Sequence, residues 1–289
     1  MTPANRVAVA LGLKSTAATL EKLKSLEGHI GLAEIRLDLM EEFDLESLIE
    51  NSPCPLVMTC RAQREGGAYQ GPEAQRLGIL SEASASGCAY VDVEWDCVAS
   101  FRNQGESTKV IASRHFHDRM PGDLWSQYGD MRDQADVVKL VGTAGQAADA
   151  LPILELIVRA KSPLIAIAMG ASGLITRLVA PCFDSCLLTY AAADDERGTA
   201  PGQISVREMT EHFGVDRVRP DTPIDVYLYS DPGHEQEAFS LCRGNGSRLK
   251  VPLRVESGQI EYMRRALEEL TPRFNGIALQ ADTITPSGE

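Results

Sequence analysis

The chain has 289 residues, of which 44% are hydrophobic and 24% charged, and this composition is typical of a globular rather than a disordered protein. Its formal net charge of −13, without any basic stripe, argues against binding to nucleic acid. The N-terminus does not resemble a secretion signal and no apolar run is long enough to cross a bilayer, so the sequence favours a cytoplasmic protein that does not bind membranes.

Eight short apolar runs, each followed by a segment with helical spacing, occupy the first 192 residues. They cover residues 6–13, 30–39, 55–62, 88–96, 109–116, 136–144, 163–170 and 186–192. Continuous apolar strands that alternate with helices are typical of a parallel sheet covered on its faces. Eight such units predict an α/β fold of the (β/α)8 barrel type, with residues 205–214 as the eighth helix. A doubly wound sheet fits less well, because no GxGxxG turn follows the first strand.

The pattern changes after residue 214, where the order becomes strand, helix, strand, helix, strand. We predict a barrel domain over residues 1–215 and a small α/β module over residues 216–289, with a hinge at residues 219–223. The last residues, 283–289, are expected to be frayed.

The seven cysteines are odd in number and form no CxxC pair, so the sequence predicts neither a disulfide framework nor a zinc site. Cys182 and Cys186 are four residues apart, and packed free thiols are their simplest interpretation.

Polar residues that interrupt the strands are the first candidates for a site, because the active site of such a barrel lies at the carboxyl ends of its strands. In chain order they are Glu34, Arg36, Asp38, Arg61, Glu65, Asp92, Glu94, His115, His117, Lys139, Arg177 and the loop over residues 198–203. A spacing of two places the first three on one side of the second strand. Structural alternatives stay open for most of the set, including a buried network of paired ions, a solvated loop pair and a hydrogen-bonded core histidine.

Lys139 is harder to explain structurally, because its four nearest neighbours in ADVVKLVGTA are aliphatic. It finds water only if it points into the barrel mouth. Burial and a nearby arginine would disfavour the ammonium, and a neutral amine is a nucleophile for a ketone carbon. The imine so formed would acidify the adjacent C–H bond, which His115 could then break. Lys139 and His115 therefore predict Schiff-base lyase or aldolase chemistry.

Seven motifs in order carry a family resemblance, namely EIRLDLM, TCRAQREGG, YVDVE, SRHFHD, ADVVKLV, GLITR and TAPGQ. Over about residues 5 to 213 the chain resembles type I 3-dehydroquinate dehydratase (3-dehydroquinase), a (β/α)8 lyase of the shikimate pathway. The resemblance implies loss of water from 3-dehydroquinate to give 3-dehydroshikimate, with no metal or organic cofactor.

The resemblance also implies a role for each matching residue. Lys139 would form the imine with the C3 ketone, His115 would take a proton from C2 and return one to the C1 hydroxyl, and Glu65 would orient His115. The implied substrate-binding residues are Glu34, Arg36, Arg61, Arg177, Thr199 and Gln203, of which the last two belong to a candidate lid loop. The family motif S-x-H-[DN]-[FY] lacks its Asp or Asn here, and this departure leaves His117 as a rival to His115.

The tail resembles, more weakly, the substrate-binding half of shikimate dehydrogenase. The family pattern G-H-S-x-S-P reads GHEQEA at residues 233–238, and the later motif N-V-T-x-P-x-K, at residues 278–284, lacks its lysine. We therefore expect a degenerate remnant without NADP-dependent dehydrogenase activity.

Two other functions remain open at this point: a different Schiff-base barrel enzyme such as a class I aldolase, and a non-catalytic scaffold whose tail binds a partner. The arginines and Gln203 argue against an aldolase, since aldolase substrates are usually phosphates. The set Glu65, His115 and Lys139 argues against a scaffold, which needs none of the three. A homodimer is possible, although no interface can be identified.

Overall fold

The computed structural model describes residues 5–193, 200–243 and 247–279, so Thr199 and the C-terminal segment expected to be frayed lie outside the described residues. Eight parallel strands form the larger sheet: β1 (Val7–Leu11), β2 (Leu32–Arg36), β3 (Leu56–Thr59), β4 (Tyr90–Glu94), β5 (Lys109–His115), β6 (Val137–Thr143), β7 (Leu164–Met169) and β8 (Thr189–Ala191). They follow one another around the sheet in chain order, with β8 beside β1. Leu164 joins the remaining seam, because its N–H donates to the Ser185 carbonyl at 2.7 Å and its carbonyl accepts from the Leu187 N–H at 2.9 Å. The predicted (β/α)8 barrel is confirmed.

Among the described residues, six α-helices cover the outside of this barrel: α1 (Thr16–Ser25), α2 (Leu45–Asn51), α3 (Glu73–Ala85), α4 (Leu124–Met131), α5 (Leu151–Arg159) and α6 (Leu174–Val179). The first two begin at side-chain caps, because Ser15 accepts from the Ala18 N–H and Asp44 from the Ser47 N–H. Such caps satisfy backbone donors that have no partner within the helix.

Two connections differ from regular helices. β4 is followed by a 3-10 helix (Trp95–Ser100). The eighth helix predicted over residues 205–214 is a π-helix (Glu208–His212), in which the Phe213 N–H donates to the Glu208 carbonyl five residues back. The predicted helix is therefore present, and its wider turns are a detail that apolar spacing does not distinguish from those of an α-helix.

Alternation along each strand decides which side chains enter the barrel. On β6, Val138 and Leu140 pack under the helices, whereas Val137, Lys139 and Val141 face the interior. Aliphatic and aromatic side chains fill the lower interior, and polar ones replace them toward the carboxyl ends of the strands. Lys139 is therefore an interior residue at the level where the barrel opens.

The C-terminal module has the predicted element order: β9 (Ile224–Tyr229), α7 (Glu235–Leu241), β10 (Leu249–Arg254), α8 (Ile260–Leu270) and β11 (Phe274–Ala278). Its three strands are parallel in the order β10-β9-β11. β10 contacts α6 and α8 contacts α5, so the module packs on barrel helices. The boundary between residues 215 and 216 stays a prediction.

All seven cysteines are free, and all are buried except the half-buried Cys54. This agrees with packed thiols at Cys182 and Cys186. Within the three described ranges, no helix combines the length and the hydropathy needed to span a bilayer.

Candidate active site at the mouth of the barrel

A pocket opens at the carboxyl ends of the barrel strands, where the predicted site residues meet. Its polar lining consists of Glu34, Arg36, Arg61, Glu65, His115, His117, Lys139, Arg177, Tyr190 and Gln203. Every residue to which the resemblance assigned a role therefore lines this pocket, except Thr199, which is outside the described part of the chain.

Lys139 lies at the inner end of this pocket and is 4% exposed. Its Nζ donates to Asp92 Oδ2 at 2.8 Å, to Glu34 Oε2 at 3.2 Å and to the Tyr190 hydroxyl at 3.4 Å. The sequence suggested arginine neighbours for this amine, whereas its partners here include two carboxylates. These partners come from β2, β4 and β8, which are distant in sequence. They also provide an immediate acceptor for the proton that the amine must lose before it can act as a nucleophile.

Arg61 and Asp92 form the centre of a buried ion network. Arg61 Nη2 is 2.7 Å from Asp92 Oδ1, and its Nη1 is 2.7 Å from Ser113 Oγ and 3.3 Å from Glu94. Burial would lower the pKa of Arg61, but the carboxylates of Asp92 and Glu94 outweigh it and raise that pKa. Burial likewise would raise the pKa of Asp92, but Arg61 and Lys139 lower it. The ion network considered from the sequence therefore exists, and it includes both a predicted substrate residue and Asp92, the partner of the Lys139 amine.

His115 and Glu65 form a pair beside this network, because Glu65 Oε2 is also 3.8 Å from Arg61 Nη1. His115 Nδ1 is 2.9 Å from Glu65 Oε2. Burial lowers the pKa of His115 well below 6.5, and Arg61 and Lys139 add to the effect. Burial raises the pKa of Glu65 to about 7. When Glu65 is ionised it accepts from Nδ1–H, which leaves Nε2 as an unprotonated base.

His117 also lines the pocket, with its ring stacked on that of His115 at a centroid distance of 6.0 Å. Glu65 pairs with His115 rather than with His117. Glu65 ends a short 3-10 turn that Gly66 closes with φ of 76°, and a Cβ at Gly66 would lie 2.6 Å from His117 Nε2. The turn therefore requires glycine both for its backbone conformation and for the space that His117 occupies.

Asp38 fixes the arginine of β2 and the loop that carries Glu65. It accepts from Arg36 Nε at 2.9 Å and Nη2 at 2.7 Å, and from the backbone N–H groups of Arg61 at 3.0 Å and Ala68 at 2.9 Å. Asp38 lies just beyond the end of β2, in a 3-10 turn (Leu37–Leu39). Its role is to hold other site residues in position.

Arg177 on α6 differs from the other buried arginines because, among the described residues, no carboxylate pairs with it. It is 1% exposed, its Nη1 donates to the Tyr190 carbonyl at 3.3 Å, and its Nε has no hydrogen-bond acceptor in the described ranges. Burial lowers the pKa of Arg177 to about 10. A buried guanidinium of this kind is well suited to bind a carboxylate that enters from solution. Gln203 lines the same pocket, and its Oε1 accepts from the Ala200 N–H at 3.3 Å.

The arrangement as a whole suits covalent chemistry on a ketone that carries a carboxylate. It combines an amine beside a proton acceptor, an imidazole oriented by a carboxylate, and a buried guanidinium that no carboxylate of the described residues pairs with. The sequence analysis did not identify Tyr190. The sequence feature that could have identified it is a tyrosine at an inward-facing position of β8, a strand that ends at the pocket.

The family model for type I 3-dehydroquinase matches residues 7–219. A bifunctional 3-dehydroquinate dehydratase/shikimate dehydrogenase of Arabidopsis thaliana is 32% identical over 245 residues, and the match covers 78% of this chain but only 40% of that protein. A 3-dehydroquinate dehydratase of Desulfotalea psychrophila is 31% identical over 220 residues, which is 72% of this chain and 96% of that enzyme.

Two solved structures are similar to this chain, over different fractions of its length. The 3-dehydroquinate dehydratase from Geobacillus kaustophilus has a TM-score of 0.61 at 25% identity, and the match covers 71% of this chain and 88% of that one. The dehydroquinate dehydratase and shikimate dehydrogenase structure from S. pombe has a TM-score of 0.62 and covers 94% of this chain and 56% of that chain. At 21% identity, the second match shows a shared fold only.

Proposed function

The chain belongs to the type I 3-dehydroquinase family, and from this premise we propose that it removes water from 3-dehydroquinate through an imine on Lys139 and releases 3-dehydroshikimate in the shikimate pathway. One observation carries the proposal: the Lys139 amine, between Glu34 and Asp92, shares a pocket with the His115–Glu65 pair.

We assign substrate binding to the charges that surround this amine. The substrate carboxylate binds the Arg177 guanidinium, whose Nε has no acceptor among the described residues. Arg36 and Glu34, from the same face of β2, contact the ring hydroxyls, and Gln203 contributes its amide. Arg61 lies beneath the substrate, where it pairs with Asp92 and Glu94. Contact with Thr199 stays a prediction.

The first stage is formation of the imine. Asp92 or Glu34 accepts a proton from the Lys139 ammonium, and the neutral amine adds to the C3 carbonyl carbon of the substrate. The same carboxyl group returns that proton to the hydroxyl of the resulting carbinolamine, which leaves as water and gives an iminium. Burial of the amine limits the water available to reverse this step.

The second stage is the elimination. His115 Nε2 removes a proton from C2, and the electron pair of the C–H bond moves toward the iminium nitrogen to give an enamine. The enamine then expels the C1 hydroxyl, to which His115 returns the proton. Water hydrolyses the new iminium, which releases 3-dehydroshikimate and restores Lys139. The net change is loss of one water molecule.

The proposal is tested by trapping the imine with borohydride in the presence of 3-dehydroquinate, followed by digestion and mass spectrometry. We expect a reduced adduct on Lys139 in the wild type and in Lys14→Ala, a control in which an exposed lysine is removed. Lys139→Ala should give neither adduct nor turnover, with circular dichroism as the check on its fold. Absence of an adduct in the wild type, or an adduct on another lysine, would contradict the proposal.

The remaining expectations concern the whole protein. The chain spans less than half of the bifunctional Arabidopsis relative, so we do not infer dehydrogenase activity for this chain from that relative. We expect no NADP-dependent turnover of shikimate, in line with the substituted motif at residues 233–238. The absence of a cofactor, the homodimer and the cytoplasmic location stay predictions.

A further inference from the structure

We propose that a second cleft, between the barrel and the C-terminal module, binds a zwitterionic α-amino acid with an apolar side chain and that its occupancy tightens substrate binding in the active-site pocket. The volume of this cleft is about 640 Å³, which lies within the range of small-molecule sites. The amino-acid site does not depend on the proposed function, whereas its effect on the substrate rests on that function.

The second cleft shares a wall with the active-site pocket. Gln203 lines both, and the residues before and after it in the chain also line the second cleft. Leu174 and Ile175 contribute from the first turn of α6, the helix that carries Arg177. The ends of β9 and β10 and the start of α7 complete the cleft from the side of the module. An occupant would therefore contact the loop and the helix that hold two of the proposed substrate-binding residues.

The phenol of Tyr229, at the end of β9, is the strongest indication of a ligand. Tyr229 is 3% exposed and lines the cleft, but its hydroxyl has no hydrogen-bond partner among the described residues. Buried phenols usually have such a partner. Burial raises the pKa of Tyr229 to about 12, with Glu235 adding to the effect and Arg254 opposing it, so the hydroxyl is a donor at neutral pH. A ligand that brings an acceptor into the cleft would satisfy it.

Charges of both signs determine which class of ligand fits the cleft. Arg254, at the end of β10, lines it together with Glu235 and Glu256. All three side chains are exposed, and within the described ranges none of them forms an ion pair. One cation against two carboxylates leaves an excess of negative charge, which disfavours a simple anion such as phosphate. A zwitterion can place its carboxylate at Arg254 and its ammonium at the glutamates.

The rest of the lining suits an apolar side chain. Leu174, Phe239, Leu253 and Val255 form apolar walls from both the barrel and the module. Ion pairs with exposed residues contribute little individually, so burial against these walls and the hydrogen bond to Tyr229 supply the remaining affinity. An uncharged apolar molecule would leave the phenol and the three charged groups without partners. These features together select an apolar α-amino acid.

An occupant of the second cleft should also hold the loop that carries Gln203 in its present conformation. On one side of Gln203 the Pro201 carbonyl accepts from the Gly170 N–H at 3.1 Å, and on the other the Ile204 carbonyl accepts from the Ala192 N–H at 2.8 Å. In this conformation Gln203 lines the active-site pocket. A ligand favours the conformation that it contacts, and by linkage amino acid and substrate then strengthen each other's binding.

Isothermal titration calorimetry of the full chain with L-phenylalanine and L-leucine tests the site independently of turnover. We expect a dissociation constant on the order of 0.1 mM for at least one of the two amino acids. Analogues of that amino acid that lack either the ammonium or the carboxylate should bind about fivefold more weakly, because each loses one set of charged partners. Equal affinity for either analogue, or no binding of both amino acids, would overturn the site.

Three variants locate the binding. Tyr229→Phe and Arg254→Met should each weaken binding about fivefold, whereas Arg243→Met, which removes an exposed arginine of the module outside the cleft, should match the wild type. Circular dichroism verifies the fold of each variant. Wild-type affinity in both Tyr229→Phe and Arg254→Met would overturn the assignment to this cleft.

Steady-state kinetics test the coupling between the two sites. Saturating amino acid should lower the KM for 3-dehydroquinate about fivefold in the wild type, with little change in kcat. An unchanged or raised KM while calorimetry shows binding would overturn the coupling. Because calorimetry needs no turnover, a wild type without dehydratase activity would refute the proposed function and leave the amino-acid site to be judged by its own result.

Discussion

Replacing Arg177 by methionine should stabilise the unliganded protein while removing most of its activity. The guanidinium is 1% exposed, and its pKa falls from 12.5 to about 10 because burial disfavours the cation. At about 1.4 kcal/mol per pH unit, this lowering corresponds to roughly 3 kcal/mol of unfavourable burial. The hydrogen bond to the Tyr190 carbonyl offsets about 1 kcal/mol of the gain on substitution, which leaves a net stabilisation of about 2 kcal/mol.

The pH dependence of this stabilisation follows from the protonation of Arg177 in the folded and the unfolded chain. Below about pH 10 both the folded and the unfolded chain carry the charge, so the full cost of burial is present at pH 7. The cost is relieved only above that pH, where the folded protein releases the proton before the unfolded chain does. The gain from Arg177→Met should therefore be complete at pH 7 and should diminish above pH 10.

Arg76→Met is the matched control, because Arg76 is also fully buried but is paired. Its guanidinium is 2.5 Å from both Glu94 and Glu73. Breaking a buried pair leaves carboxylates uncompensated and costs about 3 kcal/mol. The two variants should therefore shift the urea midpoint in opposite directions, and Arg177→Met should raise the melting temperature by about 4 °C.

Activity provides the second half of this test. Loss of a charge-assisted contact to the substrate carboxylate should lower kcat/KM at least about a hundredfold. If Arg177→Met were less stable than the wild type at pH 7, the guanidinium would not be an uncompensated charge. If it kept full activity, Arg177 would not bind the substrate.

Two further predictions concern the general base. His115→Ala should reduce kcat by about a thousandfold and His117→Ala by less than tenfold, because Glu65 pairs with His115. Steady-state rates that rank the two variants in the reverse order would assign the general base to His117. The pKa of Glu65 is raised to about 7, so kcat/KM should fall as the pH drops below 7, since protonated Glu65 no longer accepts from Nδ1–H and Nε2 ceases to be the free base. In Glu65→Gln this limb of the pH–rate profile should move to lower pH, and an unchanged limb would show that another group titrates.

Much of the site followed from the sequence alone, because two periodicities are visible in it. Apolar runs separated by helical segments define the strands, and parallel strands bring their carboxyl ends together. Residues such as Glu34, His115 and Lys139 interrupt those runs at or near these ends, so their convergence could be predicted without knowing any distance. The type of helical turn is less well determined by the sequence, and the helix predicted after β8 contains the wider turns of a π-helix.

The pairing of charges was decided only by the tertiary structure. Lys139 meets Asp92, Glu34 and Tyr190, which come from strands that are remote in sequence. Arg61 is bound to carboxylates inside the barrel, whereas Arg177 is buried without one in the described residues. The sequence can indicate which side of a strand a residue faces, but the residue opposite it depends on the register of all eight strands and on barrel closure. That register is set by packing of the whole interior, and it determines which charge is compensated and which is available to a substrate.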